Sequence, residues 1–162
     1  MDLLVRPATE DDLAAMLTLW REMMDFHAHW DSRFRPGPFP AAEEAWAKYV
    51  REDIWGNDRW CVLVAEADNQ IVGQILGVLR DPPPVFEPKP YGYITDIVVH
   101  PDVRQKGVGR ALFKTLEAWF RERGVSHLEL QVLGRNPASQ AFWRAMGCTD
   151  FIDKMWYELE VH

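Results

Sequence analysis

The sequence has little cysteine, no long apolar run and no excess of positive charge. Its two thiols, Cys61 and Cys148, are isolated and form no CxxC pair, which predicts buried free thiols in a reducing compartment rather than a disulfide framework. No apolar stretch approaches the ~20 residues of a membrane span, and the segment before Pro7 lacks the hydrophobic core of a signal peptide. We therefore expect a cytoplasmic protein without a membrane partner.

The charge balance argues against nucleic acid as a partner. The 162 residues carry 18 Lys and Arg against 25 Asp and Glu, a formal net charge of −7, whereas nucleic-acid binders present an excess of Lys and Arg. The acidic balance mildly favours a cationic partner such as an amine. With 48% apolar residues the chain can build a core without disulfides or metal, and its length fits one domain over residues 1–162.

Hydrophobic periodicity predicts a mixed α/β domain without internal repeats. The predicted strands span residues 3–6, 60–67, 71–79, 91–100, 126–133 and 154–161. The predicted helices span residues 10–24, 41–54, 107–123 and 136–147. Between the first two helices, residues 25–40 hold three prolines and Gly37 among several aromatic residues, which predicts an aromatic loop.

The strongest local feature is a basic loop at the start of a predicted helix, Arg104-Gln105-Lys106-Gly107-Val108-Gly109. Its glycines let backbone N–H groups approach a ligand closely. A helix N-terminus offers unpaired N–H donors and the positive end of the helix dipole, and Arg104, Lys106 and Arg110 add positive charge. The segment therefore predicts a diphosphate site, against the alternative of an ordinary glycine-rich helix entry with solvated basic residues.

Other phosphate-binding loops fit the sequence less well. The Walker A pattern is absent. A dinucleotide fold would use Gly107-Val108-Gly109 as its first glycines and Glu129 as the acid that binds the ribose. However, Leu112 stands at the third glycine position, and too few βα units follow to build a parallel sheet.

Two segments resemble the motifs of the GNAT superfamily of N-acetyltransferases. The strand end Val99-His100-Pro101 and the loop after it resemble motif A, which has the form Q/R-x-x-G-x-G/A after V-x-P. Residues 136–147, NPASQAFWRAMG, resemble motif B, N-x-x-A/S-x-x-L/F-Y/W-x-x-x-G. The order and spacing of the two motifs also fit, so the resemblance covers nearly the full chain.

The resemblance implies a GNAT fold, in which helices flank a mostly antiparallel sheet with a splayed parallel strand pair, here at residues 93–99 and 126–132. It implies acetyl-CoA as cofactor, with the pantetheine arm paired along the first of these strands, whose free edge needs a partner, and the diphosphate on the loop amides. The cofactor-binding residues implied are Ile97, Val98, Val99, Arg104, Gln105, Lys106, Gly107, Val108, Gly109, Arg110, Asn136 and Trp143.

The family reaction is direct attack of a neutral amine on the thioester in a ternary complex. By resemblance, the backbone N–H of Val99 is the oxyanion donor. Asp96 is the first candidate for the general base, because it precedes the run that pairs with the cofactor. Weaker candidates are Glu129, His127, Glu22 and Asp25.

Trp143 departs from the family pattern, since motif B often carries a tyrosine there that protonates the leaving thiolate. An indole N–H can donate a hydrogen bond but cannot act as an acid near neutral pH. Tyr91, Tyr93 and Tyr157 are possible substitutes. This departure is the only feature that favours the alternative function, a non-catalytic acyl-CoA-binding module with the same fold.

The aromatic loop borders the acceptor site in the GNAT arrangement. We therefore expect the acceptor pocket to be shaped by Phe26, His27, His29, Trp30 and Phe34. The two histidines stand at i and i+2 without a third ligand nearby, which does not indicate a metal site. The acceptor is expected to be a small-molecule or peptide amine, and the apolar segment 154–161 makes a homodimer possible.

Overall fold

The computed structural model describes residues 2–160, which fall into two compact units, one ending at Gln131 and the other beginning at Val132. The strands of the first unit are β1 (Leu3–Pro7), β2 (Trp60–Ala67), β3 (Gln70–Arg80), β4 (Tyr91–Val99) and β5 (Leu128–Leu130). Its helices are α1 (Leu13–Trp30), α2 (Ala41–Tyr49), which continues as π-helix over Val50–Ile54, and α3 (Val108–Glu122). The second unit contains α4 (Pro137–Ala145).

The five strands of the described residues form one mixed sheet in chain order. β1 to β4 pair antiparallel, and β5 joins β4 in parallel. The β2–β3 hairpin turns at Asp68 and Asn69, whose φ angles of 50° and 61° are the left-handed values that a two-residue hairpin loop requires. This confirms the predicted fold class, a mostly antiparallel sheet flanked by helices.

β4 and β5 are paired only at their beginnings. Their pairing runs from Gly92↔Leu128 to Ile94↔Leu130, where β5 ends while β4 continues to Val99. β4 also carries one extra residue, Thr95, because its register against β3 steps from Ile94 to Asp96 across adjacent β3 residues. A bulge of this kind bends its strand, and here it lies where the two strands part.

Helices cover both faces of the sheet. α3 lies over the face of Gly77, where a Cβ atom would come within 2.9 Å of the Leu116 and Phe120 side chains, so glycine keeps the helix close to β3. The opposite face, which we call the α1 face, bears Leu76 and Val98. There α1 and α2 pack on the sheet in an apolar core.

An ion-pair network fixes the start of α1 against the sheet. Arg6 on β1 donates hydrogen bonds to Asp12 at 2.7 and 2.9 Å and to Glu66 on β2 at 2.9 Å. Asp12, which is buried, also accepts from the backbone N–H of Thr9 at 2.8 Å. The hydrogen bonds from Arg6 are the main cause that lowers the pKa of Asp12 to about 2.

The first helix is longer than the sequence predicts. Residues 25–30, expected to belong to the aromatic loop, instead form the last turns of α1, and the helix ends where the N–H of Asp31 bonds the carbonyl of His27. The segment contains neither proline nor glycine, and the first proline comes at Pro36. Nothing in residues 25–30 therefore interrupts the helical hydrogen bonds.

The predicted terminal strand is also wrong over the part that the structure describes. Residues 154–160 form no strand, and Val161 lies outside the described residues. Their apolar pattern fits a strand, but a strand needs a neighbour to complete its hydrogen bonds. The strand predicted at 126–133 is likewise confirmed only for Leu128–Leu130.

The two thiols have different environments. Both are free, but Cys61 is buried while Cys148 is only half-buried, so the expectation of buried thiols is confirmed for Cys61 alone. Burial raises the pKa of Cys61 to about 11, which makes this thiol unreactive. None of the helices in residues 2–160 is long and apolar enough to cross a membrane.

Candidate functional site

The end of β4 presents a free strand edge. The N–H of His100 donates to the carbonyl of Val72 at 2.8 Å. The neighbouring pair, Val99 and Gly73, is therefore one that shares no hydrogen bonds. Because bonded and non-bonded pairs alternate, Ile97 and Val99 both direct their N–H and C=O groups away from β3. These groups point to the side of β4 where pairing with β5 ends at Ile94. We call this unpaired side the open edge of β4.

The loop after β4 is folded by its own polar contacts. Pro101–Val103 form a turn of 3-10 helix, whose first residues are capped by His100 through its Nδ1, which accepts from the N–H of Asp102 at 3.3 Å. Lys106 donates from Nζ to the Asp102 carbonyl at 2.9 Å. Gln105 and Gly107 then turn the chain into α3 with φ angles of 62° and 88°.

The N-terminus of α3 offers unpaired backbone donors. Its first helical hydrogen bond joins the N–H of Ala111 to the Gly107 carbonyl at 3.0 Å. Within the described part of the chain, no acceptor bonds the six amides from Gln105 to Arg110. Val108 is buried and anchors the turn, while Lys106 and Arg110 are exposed. Such a cluster of N–H groups at the positive end of a helix suits a phosphate or other anion.

Gly107 is required for a different reason than the sequence suggests. A Cβ atom at this position would meet nothing within 4 Å, so the protein itself leaves space for a side chain. Its φ of 88° is the constraint, because L-residues rarely adopt the left-handed conformation.

Arg104 turns back onto β4. Its Nε donates to the Val99 carbonyl at 3.0 Å, and its guanidinium lies over the Phe26 ring at 5.3 Å from the ring centroid. The side chain thus joins the end of β4 to the last turns of α1. Its predicted contact with the diphosphate stays a prediction.

Asp96 follows the bulge and lies on the α1 face, opposite Leu76. Burial raises the pKa of its carboxyl group, and a hydrogen bond with the Thr95 side chain acts in the opposite direction. Desolvation is the main cause that raises the pKa of Tyr49, and the charges of Asp53 and Asp96 act in the same direction. The structure therefore gives the candidate base a desolvated position beside the open edge of β4.

The predicted acceptor residues gather at the end of α1. Phe26 and Trp30 form an edge-to-face pair at 6.1 Å, and His29 contacts Trp30 at 6.0 Å. Phe34 follows the helix and packs edge-to-face on His27 at 5.0 Å. The five residues thus form two contact groups at the end of α1, Phe26 and His29 with Trp30, and His27 with Phe34, and four of the five stand on a helix rather than on a loop. Among residues 2–160, no group of three or more His, Cys, Asp or Glu side chains could hold a metal ion.

Burial disfavours the charged form of the His27 imidazole. This lowers the pKa of the ring, and its Nδ1 is buried without a hydrogen-bond partner in the described part of the chain. His29 is exposed, in contrast to His27 and Trp30, which are half-buried.

Sequence reasoning missed two polar side chains on the α1 face. His100 lies with its Nε2 3.9 Å from Glu22 of α1, and its Nδ1 is 3.8 Å from Asp102. Gln74 of β3 is fully buried opposite Val98. A glutamine between apolar neighbours in a strand, with glycine at the preceding position, was the signal that could have identified it.

The remaining candidates for acid and base, apart from Glu22 and Asp25 on α1, have other surroundings. Glu129 on β5 lies 3.4 Å from the ring of His127, which stacks on Tyr91 at 5.5 Å between ring centroids. Tyr93 lies under the Arg80 guanidinium at 3.5 Å, and Tyr157 is 86% exposed. Tyr91 and Tyr93 share a face of β4 with Asp96, because their partners Arg80 and Val78 lie on the Leu76 side of β3, but both precede the bulge.

The second unit contains the two remaining motif residues. Asn136 is the N-cap of α4, and its side-chain oxygen accepts from the N–H of Ser139 at 3.1 Å, as the sequence predicts. Trp143 is buried and packs edge-to-face with Phe142 at 5.0 Å. Their predicted contacts with the cofactor stay predictions.

Comparison with curated proteins finds partial matches. The chain is 33% identical over 98 residues to an uncharacterized N-acetyltransferase, MJ1530, of Methanocaldococcus jannaschii, a match that covers 60% of this chain and 58% of that protein. It is 34% identical over 95 residues to the L-2,4-diaminobutyric acid acetyltransferase of Nocardia farcinica, covering 54% and 46% of the two chains. The chain therefore spans about half the length of these relatives.

Solved structures share the fold over the whole chain. The BH1408 protein of Bacillus halodurans, solved as a tetramutant, has a TM-score of 0.83 at 21% identity, covering 96% of this chain and 99% of that one. The aminoglycoside 6'-N-acetyltransferase AAC(6')-Ih of Acinetobacter baumannii has a TM-score of 0.76 at 18% identity, covering 99% and 100%.

The family itself is identified by sequence. The model of the Acetyltransferase (GNAT) family matches residues 15–148. That match extends from α1 through the β4 loop to the residue after Gly147, and so includes both motifs. The chain therefore belongs to the acetyltransferase (GNAT) family.

Proposed function

We propose that the chain transfers an acetyl group from acetyl-CoA to a primary amine by direct attack in a ternary complex. The observation that carries this proposal is the open edge of β4, with Ile97 and Val99 directed into it, followed at once by the unpaired amides of residues 105–110. An extended chain bearing amides and a diphosphate matches these two features together. The named N-acetyltransferases among its relatives support the activity.

The residues present fit acetyl-CoA. The N–H and C=O groups of Ile97 and the N–H of Val99 point to the open edge and would contact the pantetheine arm, while the Val99 carbonyl already accepts from Arg104. The amides of residues 105–110, with Lys106 and Arg110, would hold the diphosphate. By resemblance, Asn136 and Trp143 would contact the cofactor arm. A neighbouring structure, the aminoglycoside acetyltransferase AAC(6')-Iy, was solved with a bisubstrate analog of CoA, at a TM-score of 0.74 and 20% identity over 99% of this chain.

The residues of this chain would then supply the proton transfer and the charge stabilisation. Acetyl-CoA, when bound, supplies the thioester as acyl donor. Asp96 takes a proton from the ammonium form of the acceptor, and its raised pKa brings it closer to the working pH of a base. The N–H of Val99, which is directed away from β3, would donate to the oxygen that becomes negative.

The acceptor pocket is proposed at the end of α1. There Trp30 contacts Phe26 and His29, His27 contacts Phe34, and the Arg104 guanidinium of the cofactor loop lies over the Phe26 ring. Exchanging these side chains singly for alanine should therefore change the preference among amines more than the affinity for CoA, as measured by steady-state kinetics and calorimetry.

Release of free thiol on mixing acetyl-CoA with a panel of amines tests the activity. Turnover with at least one amine supports the proposal. Binding of acetyl-CoA without turnover across a wide panel would instead favour a non-catalytic acyl-CoA-binding module. Loss of turnover in Asp96→Asn separates enzymatic transfer from spontaneous aminolysis of the thioester.

The cofactor loop has a matched control at the other end of α3. Gly107 and Gly124 both have positive φ, 88° and 72°, and a Cβ atom at either position would meet nothing within 4 Å, so a valine strains the backbone alike at either site. We expect Gly107→Val to weaken CoA binding by about 10-fold or more, since charge-assisted hydrogen bonds contribute about 1.5–3 kcal/mol each. Gly124→Val should bind CoA normally. If calorimetry shows that the two folded variants bind CoA with equal affinity, the loop does not belong to the cofactor site.

A further inference from the structure

Buried polar atoms without partners are concentrated in one region. Among residues 2–160, the buried side-chain atoms that lack a hydrogen bond are Glu22 Oε2, His27 Nδ1, Trp30 Nε1 and both amide atoms of Gln74. Three of these residues stand on the second half of α1, and the fourth stands on β3 beneath the α1 face. Buried polar groups in folded proteins are nearly always paired, so this concentration requires an explanation.

Gln74 is the most informative of the four. It is fully buried, directly opposite Val98, which belongs to the apolar core with Met23 of α1. An apolar side chain of similar size would fill this position without leaving polar atoms unpaired. The amide therefore indicates a ligand group that accepts from or donates to it.

Glu22 lies along the same surface. On β4, Asp96, Val98 and the following His100 share the α1 face, and the His100 ring lies 3.9 Å from Glu22 Oε1. The other carboxylate oxygen, Oε2, is buried and has no partner among the described residues. Gln74, opposite Val98, thus stands between the position of the candidate base and the Glu22 carboxylate.

We propose that Glu22 and Gln74 form a subsite for a second amino group of the acceptor, which makes the preferred substrate a diamine. The inference rests on the proposed transfer to an amine. An ammonium group donates several hydrogen bonds and would satisfy Glu22 Oε2 and Gln74 Oε1 together. A carboxylate prefers an ammonium to a hydroxyl here because the hydrogen bond is then between opposite charges. Gln74 Nε2 stays available to donate to a further oxygen of the acceptor.

Matched acceptors test the subsite. With acetyl-CoA as donor, the ratio of kcat/KM for 1,4-diaminobutane over 1-aminobutane should be about 10 or more, the value of one charged hydrogen bond. 4-Amino-1-butanol, of similar length, should resemble 1-aminobutane. Glu22→Gln and Gln74→Leu should each reduce the diamine ratio by about 10-fold or more. A ratio near one in the native chain, or an amino alcohol as good as the diamine, would overturn the proposal.

Each variant has a control with the same chemical change. Glu44→Gln removes a negative charge from an exposed position of α2, and Gln70→Leu makes the glutamine exchange at an exposed position of β3. Both should keep the diamine ratio of the native chain. If Glu44→Gln lowers the ratio as much as Glu22→Gln, the effect is one of net charge and the subsite is disproved. Gln74→Leu should melt at the same temperature as the native chain or higher, because it removes an unpaired buried amide.

Calorimetry separates this inference from the proposed function. 1,4-Diaminobutane is titrated into the chain saturated with CoA, and binding should weaken in Glu22→Gln but not in Glu44→Gln. Binding of this kind without any acetyl transfer would support the subsite and refute the transferase. Transfer to other amines, with no binding of the diamine, would leave the transferase and refute the subsite. If neither binding of the diamine nor acetyl transfer is observed, the subsite is refuted as well.

Discussion

Asp96 combines a position next to the bulge with a desolvated carboxyl group, and both properties matter for its titration. Its pKa is raised from the ordinary 3.8 by burial, so the folded chain binds the proton more tightly than the unfolded chain. Such a group favours folding at low pH, and this contribution is lost as the pH rises through the raised pKa. Above that pH, the ionised Asp96 lowers the stability of the fold.

The first prediction concerns Asp96→Asn. At neutral pH the variant should be at least as stable as the native chain, and the difference should vanish below the ordinary pKa of a carboxyl group. Its turnover should fall by about 10²- to 10⁴-fold, the usual contribution of a general base. Chemical denaturation at several pH values and pH profiles of kcat/KM check the two effects.

In the native chain, kcat/KM should fall at acidic pH with a midpoint above 3.8, and this acidic limb should be missing in Asp96→Asn. Glu129→Gln is the control, because Glu129 is a carboxylate on the neighbouring strand β5, where it pairs with Tyr93 and is separated from Asp96 by the Thr95 bulge. If Glu129→Gln removes the acidic limb and Asp96→Asn keeps it, Asp96 is not the base.

Elements of the fold depend on a few side chains that join them. The Arg6, Asp12 and Glu66 network links β1, the beginning of α1 and β2, so the helix is fixed before its apolar face begins at Leu13. The pKa of Asp12 is lowered from 3.8 to about 2, a shift that corresponds to about 2 kcal/mol of stability.

The second prediction follows from this network. Asp12→Asn should lower the free energy of unfolding by about 1–3 kcal/mol at pH 7, because it removes the charge that Arg6 pairs with. A lowered carboxyl pKa stabilises the fold above pH 3.8, and this contribution is lost as the pH falls toward 2. The difference between variant and native chain should therefore shrink over that interval in urea titrations.

Asp11→Asn is the matched control. It lies one residue earlier in the same turn and is exposed, so it shares the helix-dipole effect without the pairing to Arg6. It should change stability by a few tenths of a kcal/mol. A loss equal to that of Asp12→Asn would mean that the dipole, not the network, is responsible.

At the scale of the whole molecule, the described part of the C-terminal segment exposes several large apolar side chains to solvent. Met155, Tyr157 and Leu159 occupy every second position and are 92%, 86% and 76% exposed, and Trp156 between the first two is exposed as well. Large apolar side chains in such a row usually mark an interaction surface. We propose that a second copy of the chain covers it, and the cytoplasmic location stays a prediction.

The third prediction is that the chain is a dimer in solution. Light scattering after gel filtration should give twice the mass of 18.8 kDa, and a double variant, Met155→Glu with Tyr157→Glu, should give a monomer. Lys154→Glu changes the charge of the same segment at a polar position and should stay dimeric. A native chain that is monomeric at about 0.1 mM would contradict the proposal, since stable interfaces hold well below that concentration.

The sequence by itself determined the family, the mixed sheet and the location of the loop that we propose as the anion site. Each depends on local pattern: period-two strands, the helix entry at Gly107 and the Asn136 cap, which are set by neighbours in the chain. The tertiary structure decided the rest. Only strand register shows that Thr95 is a bulge and that Val99 faces the open edge. Only packing reveals that Gln74 is buried without a partner, because burial depends on residues far apart in sequence.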